Sequence, residues 1–261
     1  MNLYKIGAAI AVIICVVVLV FSYLTWQDKL ENVLDKPEEV AAQTGETKKE
    51  ELQTKTSVNT VNVEELTLKM DIQVRELLLD RHSNDETLKM LITGSAALDS
   101  GAPGYAELLK DAVTKAYGDF VEMEVLSIEG TSQSLVNVDL SAGYDLVLLE
   151  PMTLMNNDRL AIEQEREHIK AFDAAMTAEV ADAVLLLHPP QPIYGAGYYL
   201  AQVAALDEFA ATNGYAYIDH WSAWPDTDDE LLKDYLTDDG LPNDKGAETW
   251  AQELEAYFIA D

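Results

Sequence analysis

The chain has almost no cysteine and very little positive charge. Cys15 is its single cysteine, so no disulfide can form within it, and cysteine use says little about the compartment. Lys and Arg number 17 against 47 Asp and Glu, a formal charge of −30. That balance excludes electrostatic binding to nucleic acid or to anionic lipid headgroups. Beyond Ala171 the basic residues are Lys233 and Lys245 alone. So acidic a surface suits a cationic or neutral partner, and it equally suits a saline or alkaline habitat. No glycine-rich phosphate loop follows an apolar run: "GAPG" and "GAG" lack dinucleotide-binding spacing. There is no internal repeat, no Cys/His pair at zinc spacing, and "DTDDE" lacks the spacing of a calcium loop. Neither a metal nor a cofactor is expected. "DTDDE" reads instead as a solvated helix start.

What the chain does have is a long apolar run near its start. "IGAAIAVIICVVVLVFSYLTW", Ile6 to Trp26, carries no charge. At about 1.5 Å per residue it spans a hydrocarbon core of roughly 30 Å. No small-x-small cleavage site follows, and Ile14 occupies the place where a lipobox before Cys15 needs a small residue. Tyr23 and Trp26 suit an interfacial belt. The expectation is an uncleaved membrane anchor over residues 6–26, after a short tail at 1–5. Lys5 lies before the span and Lys29 and Lys36 after it, so the positive-inside count does not orient it. A short tail ahead of a long C-terminal part favours the domain outside the cytoplasm. Residues 27–62, rich in Glu, Lys, Gln and Thr, read as a flexible charged stalk. Residues 63–261 form the domain, entered through a helix in "VEELTLKMDIQVRELLLDRH".

From Leu88 onward, short apolar runs alternate with amphipathic helices. "LKMLITG", "VEMEVLS", "YDLVLLE", "DAVLLLH" and "YAYID" read as strands. The helices between and after them are "GYAELLKDAVTKAYGD", "DRLAIEQEREHIKAFDAAMTAEV", "YYLAQVAALDEFAATNG" and "DKGAETWAQELEAYF". Five nearly continuous apolar runs separated by helices predict an α/β fold with a five-stranded parallel sheet covered on both faces. In such sheets the site lies beyond the carboxyl ends of the strands.

That rule selects a short set of candidates. Ser95 ends the first strand and reads either as a turn residue or as a nucleophile. Gly130 follows the second strand and offers a backbone N–H or simply a turn. Asn156 and Asn157 follow the third; their amides could donate to an oxyanion, and Asn157 could equally cap a helix. His188 closes the fourth strand. His220 closes the fifth beside Asp219, as a base or as a core histidine. His82 and His168 fall on helices or their ends and read as exposed.

The order of these blocks resembles the SGNH/GDSL hydrolase family, and in particular its membrane-anchored branch in Gram-positive bacteria. The resemblance runs from about Leu88 to Phe258. "MLITGSAAL" stands at the family's Gly-Asp-Ser block, "SIEGTSQS" at the oxyanion glycine, and "LLEPMTLMNND" at Gly-x-Asn-Asp. "DDGLPNDKG" stands at the last block, where Asp-x-x-His precedes Pro-Asn. "HPPQPIY", "YYLAQVAALDEFA" and "DHWSAWPD" look like the anchored branch. The resemblance implies a flavodoxin-like three-layer α/β/α sandwich and ester hydrolysis. It implies roles for Gly130 and for Asn156 or Asn157 at the oxyanion, and for Asp238 in the triad. Two positions depart from the pattern: Ala96 aligns with the nucleophile, and Leu241 with the histidine.

Two functional readings follow. In one, an anchored extracytoplasmic esterase or deacetylase acts on ester groups of cell-envelope glycan or lipid. Ser95 attacks, and His220 or His188 serves as base, oriented by Asp219 or Asp238. In the other, the domain keeps the cleft without the chemistry and binds an envelope polymer or a protein partner. Tyr194, Tyr198, Tyr199, Trp221 and Trp224 are then candidates for stacking on sugar rings.

Overall fold

The computed structural model describes residues 61–260. The expected anchor and almost all of the stalk lie outside the described residues. None of the described helices is long and apolar enough to cross a membrane.

The described chain opens with two helices, α1 (Val63–Leu66) and α2 (Ile72–Ser83). The sheet strands are β1 (Leu88–Gly94), β2 (Val121–Ser127), β3 (Leu146–Leu149), β4 (Val184–Leu187) and β5 (Ala216–Tyr217). Between them run α3 (Tyr105–Tyr117), α4 (Thr153–Asn156), α5 (Ile162–Glu179) and α6 (Tyr198–Asn213), and α7 (Asp244–Phe258) closes the domain. All pairings are parallel and the order is β2-β1-β3-β4-β5. The predicted five-stranded sheet and its flavodoxin-like order are both present.

Alternation along each strand assigns its side chains to the two faces. Met90, Ile92, Leu146, Leu148 and Leu186 face one core, with residues of α2, α3 and α7. Leu91, Val147, Leu149, Leu185 and Leu187 face the other, with α5 and α6. Because both faces are covered, β3 and β4 are apolar throughout, whereas the edge strand β2 alternates with exposed Glu122 and Glu124.

Two helices differ from the sequence expectation. The entry helix is split between Leu66 and Ile72, where the Thr67 hydroxyl donates to Val63 O at 2.7 Å. A hydroxyl bonded back to the preceding turn weakens continuation of a helix. The helix expected from Asp158 begins only at Ile162, because Asp158 takes a left-handed φ of 59°. Gln164 Oε1 then accepts from Ala161 N at 3.0 Å and closes the new N-terminus. By contrast α7 starts where expected: the Asn243 side chain accepts from Gly246 N at 3.1 Å as its N-cap. In "DTDDE", Asp229 caps a short 3-10 helix, its carboxylate accepting from Leu231 N at 2.9 Å.

The entry segment is tied to the end of α7 and to the amino ends of the strands. Tyr257 Oη donates to Asp71 Oδ2 at 2.9 Å, and Ala260 N to Leu66 O at 2.9 Å. At the amino ends of the strands, Arg81 Nε donates to Asp145 Oδ1 at 2.9 Å and Nη2 to Asp182 Oδ1 at 2.8 Å. Asp145 Oδ2 accepts from Lys89 N at 2.8 Å, so one guanidinium couples α2 to β1 and β3. Hydrogen bonding to Arg81 pulls the Asp182 carboxyl below its ordinary range. Arg81 and Asp145 side chains are only 10% and 11% exposed, so removing the cation strands a nearly buried carboxylate. Arg81→Ala is expected to lower stability by about 3 kcal/mol in urea unfolding, as loss of one partner of a buried ion pair does. A change below about 0.5 kcal/mol, typical of a surface pair, contradicts this role.

Candidate functional site

A cleft of ≈ 790 Å³ opens at the carboxyl ends of the strands. Its walls come from the segments that follow β1, β2, β3 and β4, and from the loop leading into α7. Ser95 and Ala96 follow β1, Glu129 and Gly130 follow β2, and Leu154 and Met155 lie on α4. Gln191, Ile193 and Tyr194 follow β4, and the segment from Lys233 to Leu241 supplies the remaining side.

Ser95 sits on the floor, 7% exposed. Its hydroxyl caps the 3-10 helix Ala96–Asp99 by accepting from Ala97 N at 3.3 Å. Its N–H donates to Glu150 Oε2 at 2.7 Å, and Glu150 Oε1 accepts from Met152 N at 2.6 Å. Glu150 is completely buried at the end of β3, and burial pushes its carboxyl up against the pull of these hydrogen bonds. A Cβ on Gly94 would lie 2.6 Å from Glu150 Cβ and 2.8 Å from Glu150 O, so glycine is required there.

Gly130 lines the cleft with φ of 97°, a conformation that favours glycine. Asn156 does not face the cleft. It is 1% exposed, its Oδ1 accepts from Ser132 N at 2.9 Å, and its Nδ2 donates to Glu165. Both ends of its amide are therefore bound within the protein. Asn157 is the C-cap of α4 and lies outside the cleft lining, not at the start of the following helix.

The histidines are placed differently from the catalytic expectation. His220 is fully buried and outside the cleft lining. Its Nε2 donates to Pro189 O at 2.8 Å, and its Nδ1 accepts from Trp224 Nε1 at 3.1 Å. Both ring nitrogens are committed, which fixes the neutral tautomer. Its ring stacks on Trp250 at 4.3 Å between centroids. Burial drives the imidazole pKa down to about 3. His188 is also fully buried, with Nδ1 bonded to Pro189 O at 3.2 Å. Burial, and then the neighbouring His220, push its pKa well below the ordinary histidine value. No hydrogen bond joins either ring to Ser95. Asp219 is exposed and accepts from Trp221 N at 3.0 Å rather than from a histidine. Asp238 is exposed on the cleft rim, and Leu241 lines the wall near it. His168 is half-buried rather than exposed, with Nδ1 2.9 Å from Ser132 Oγ. Of the aromatic candidates only Tyr194 lines this cleft; Tyr199 and Trp224 are buried in the core.

Two carboxylates were missed in the sequence. Glu150 had a signal, since it directly follows the apolar run "LVLL". Glu165 had none, lying within a helix rich in Glu. It is 4% exposed, accepts from Thr153 Oγ1 at 3.0 Å and from Asn156, and burial raises its pKa to about 7.

A cleft at the carboxyl edge of a 2-1-3-4-5 parallel sheet, with a buried serine after β1, places the domain among the doubly wound α/β folds. Solved structures similar to it carry the fold of the SGNH/GDSL hydrolases. A lipolytic protein of the G-D-S-L family from Desulfitobacterium hafniense superposes with a TM-score of 0.53 at 17% identity, over 66% of this chain and 99% of that one. A catalytic mutant of the acetylxylan esterase Axe2 from Geobacillus stearothermophilus gives 0.53 at 14%, over 67% and 95%. The lipase Lip_vut3 from a goat rumen metagenome gives 0.51 at 12%, over 67% and 99%. At these identities the likeness establishes the fold alone. No family model and no curated protein matches the sequence.

Two outcomes test this electrostatic picture. The ring resonances of His188 and His220 are expected to hold their neutral positions between about pH 5 and 8 in NMR, and titration of either ring in that range contradicts their burial. Glu165 keeps its proton in the folded state up to about 7, while in the unfolded chain it loses it near 4.5. The folded state therefore binds more protons across that window, and stability falls as pH rises through it. Glu165→Gln is expected to shrink the stability loss between pH 4.5 and 8 by about 2–3 kcal/mol in denaturant unfolding. An unchanged pH slope contradicts it.

Proposed function

We propose that this chain is a membrane-attached binding protein of the SGNH/GDSL fold. Its cleft holds a ligand of the cell envelope, a polymer or a protein partner, without Ser–His ester hydrolysis. Residues 6–26 anchor it, residues 27–62 act as a stalk, and the domain stands outside the cytoplasm.

The observation that carries this reading is the state of His220. The histidine nearest in sequence to the expected role is buried, fixed at both nitrogens, and held neutral by its surroundings. A general base must reach the nucleophile's proton directly or through one water, and none of the cleft-lining side chains is a histidine. Ser95 has its hydroxyl on Ala97 N and its N–H on Glu150, so both act in holding the strand end. The catalytic alignment points the same way, with Ala96 and Leu241 where the family has serine and histidine. Loss of triad members removes several powers of ten in rate.

The test is hydrolysis of p-nitrophenyl acetate by the purified full chain beside Ser95→Ala, with a fluorophosphonate probe for activated serines. Equal rates, no faster than about twice the buffer, and no labelling are expected. A rate that drops at least tenfold in Ser95→Ala, or probe attached to Ser95, overturns the proposal in favour of the esterase reading.

A further inference from the structure

We propose that Glu165 is a proton-operated latch beneath the cleft: protonated, it holds the wall made by α4, and ionised, it lets that wall open. The latch goes beyond the binding reading above and acts whichever ligand enters. Glu165 is 4% exposed and lies under the wall, outside the cleft lining. Its Oε1 is 3.0 Å from Thr153 Oγ1, and its Oε2 accepts from Asn156 Nδ2. Thr153 and Asn156 are the two ends of α4, and Leu154 and Met155 between them line the cleft. One turn of helix has little stability of its own, so contacts of this kind decide where it sits.

The same carboxyl reaches a second wall. Asn156 Oδ1 accepts from Ser132 N at 2.9 Å, two residues past Gly130 on the β2 side of the cleft. Asn156 thus joins Glu165 to both walls. The chain enters α4 through Met152 at its left-handed φ of 62°. Backbone held there is strained, which favours movement once the grip on α4 weakens.

The neutral and ionised carboxyl differ in what they ask of this site. With the proton on Oε1, the O–H donates to Thr153 Oγ1 while Oε2 accepts from Asn156, so both contacts are kept and no charge is buried. Without it, an anion lies among groups that offer little balance. Burial does most to raise its pKa, to about 7, and repulsion from Glu150 outweighs attraction to Arg166. Glu150 is buried at the end of β3, and Arg166 gives its Nη2 to Ala205 O at 3.1 Å. From α6 comes Tyr199, whose phenol burial pushes well above its ordinary value; Asp207 and Glu208 of that helix are exposed. His168, one turn further along α5, is joined to Ser132 Oγ at 2.9 Å. Asp158 and Arg159 between α4 and α5, Glu163 and Glu167 on α5, and Glu129 after β2 are exposed. α4 itself has no titratable side chain. Water is the remaining partner for the anion, and α4 must move for water to reach it.

The experiment follows the full chain in uncharged maltoside micelles from pH 5.5 to 8.5, without ligand. Met155 is read by isotope-edited methyl NMR, and residues 153–157 by amide hydrogen exchange corrected for its intrinsic pH dependence. A carboxyl at about 7 with α4 closed and at its ordinary 4.5 with α4 open makes opening about tenfold more favourable at pH 8 than at pH 6. Protection of 153–157 is expected to fall about tenfold over that range while the Met155 methyl moves in step. Exchange there is expected to stay faster than in β3 and β4, as local opening requires. Glu165→Gln offers an N–H to Thr153 and a carbonyl to Asn156 without titrating, and is expected to keep the wall closed throughout. His168→Gln is expected to keep the transition, which separates Glu165 from the nearby imidazole. The latch is overturned by a wild-type wall that does not change with pH, or by exchange at 153–157 no faster than in β3 and β4. It is overturned equally by a transition that survives Glu165→Gln or disappears in His168→Gln. None of these readouts bears on the esterase test above, so the two readings fail separately.

Discussion

The cleft depends on one buried carboxylate. Glu150 stands at the end of β3 and receives the N–H groups of Ser95 and Met152, so the segments leaving two neighbouring strands are fixed to each other. Carboxylates accept hydrogen bonds and never donate them when ionised, which makes two inward-facing backbone donors its natural partners. The arrangement needs Gly94, because any side chain there would occupy the space of Glu150 itself. It also holds Met152 at a left-handed φ of 62°, a conformation costing about 1–3 kcal/mol for a residue with a side chain. Serine, glycine, glutamate and a strained methionine thus form one local unit, and the cleft floor is its upper surface.

A second unit explains the histidines. Trp250 stacks between Tyr105, at 3.9 Å, and His220, at 4.3 Å, and His188 meets it edge-on at 5.6 Å. Offset and edge-to-face contacts of this kind stabilise aromatic cores beyond simple burial. Neutral imidazole is a flat ring with one donor and one acceptor, and His220 uses it that way, bridging Pro189 O and the Trp224 indole. The low pKa is a consequence of that position. A side chain so committed is packing material, and the same burial that makes it useful there removes it from proton transfer.

Much of the architecture was readable in the residues. The five apolar runs are the five strands, and "DKGAETWAQELEAYF" is α7 to the residue, since Asn243 supplies its own cap. Misreadings fell where a single torsion or side-chain bond overrode the periodic pattern, at Thr67 and at Asp158. The site was less legible. Ser95, Gly130 and Asp238 do line one cleft, because position after a strand determines that they must come near its edge. His220 and Asn156 also follow strands, yet their side chains turn inward. No sequence pattern distinguishes the two directions when a neighbour that receives the side chain, Pro189 for His220 or Ser132 for Asn156, is distant along the chain.

By itself the sequence determined the layers, the parallel sheet and the edge at which a ligand can enter. Hydrophobic period and strand-helix alternation act over a few residues, so they are written locally. Only the tertiary structure decided which polar groups face the cleft and which are consumed in holding it. That choice rests on long-range contacts: Gln191 with Gly240, Ser95 with Glu150, and His220 with Pro189. A hydrogen bond formed inside the protein removes the same atom from chemistry, and which atoms are left free is fixed only once the chain has folded.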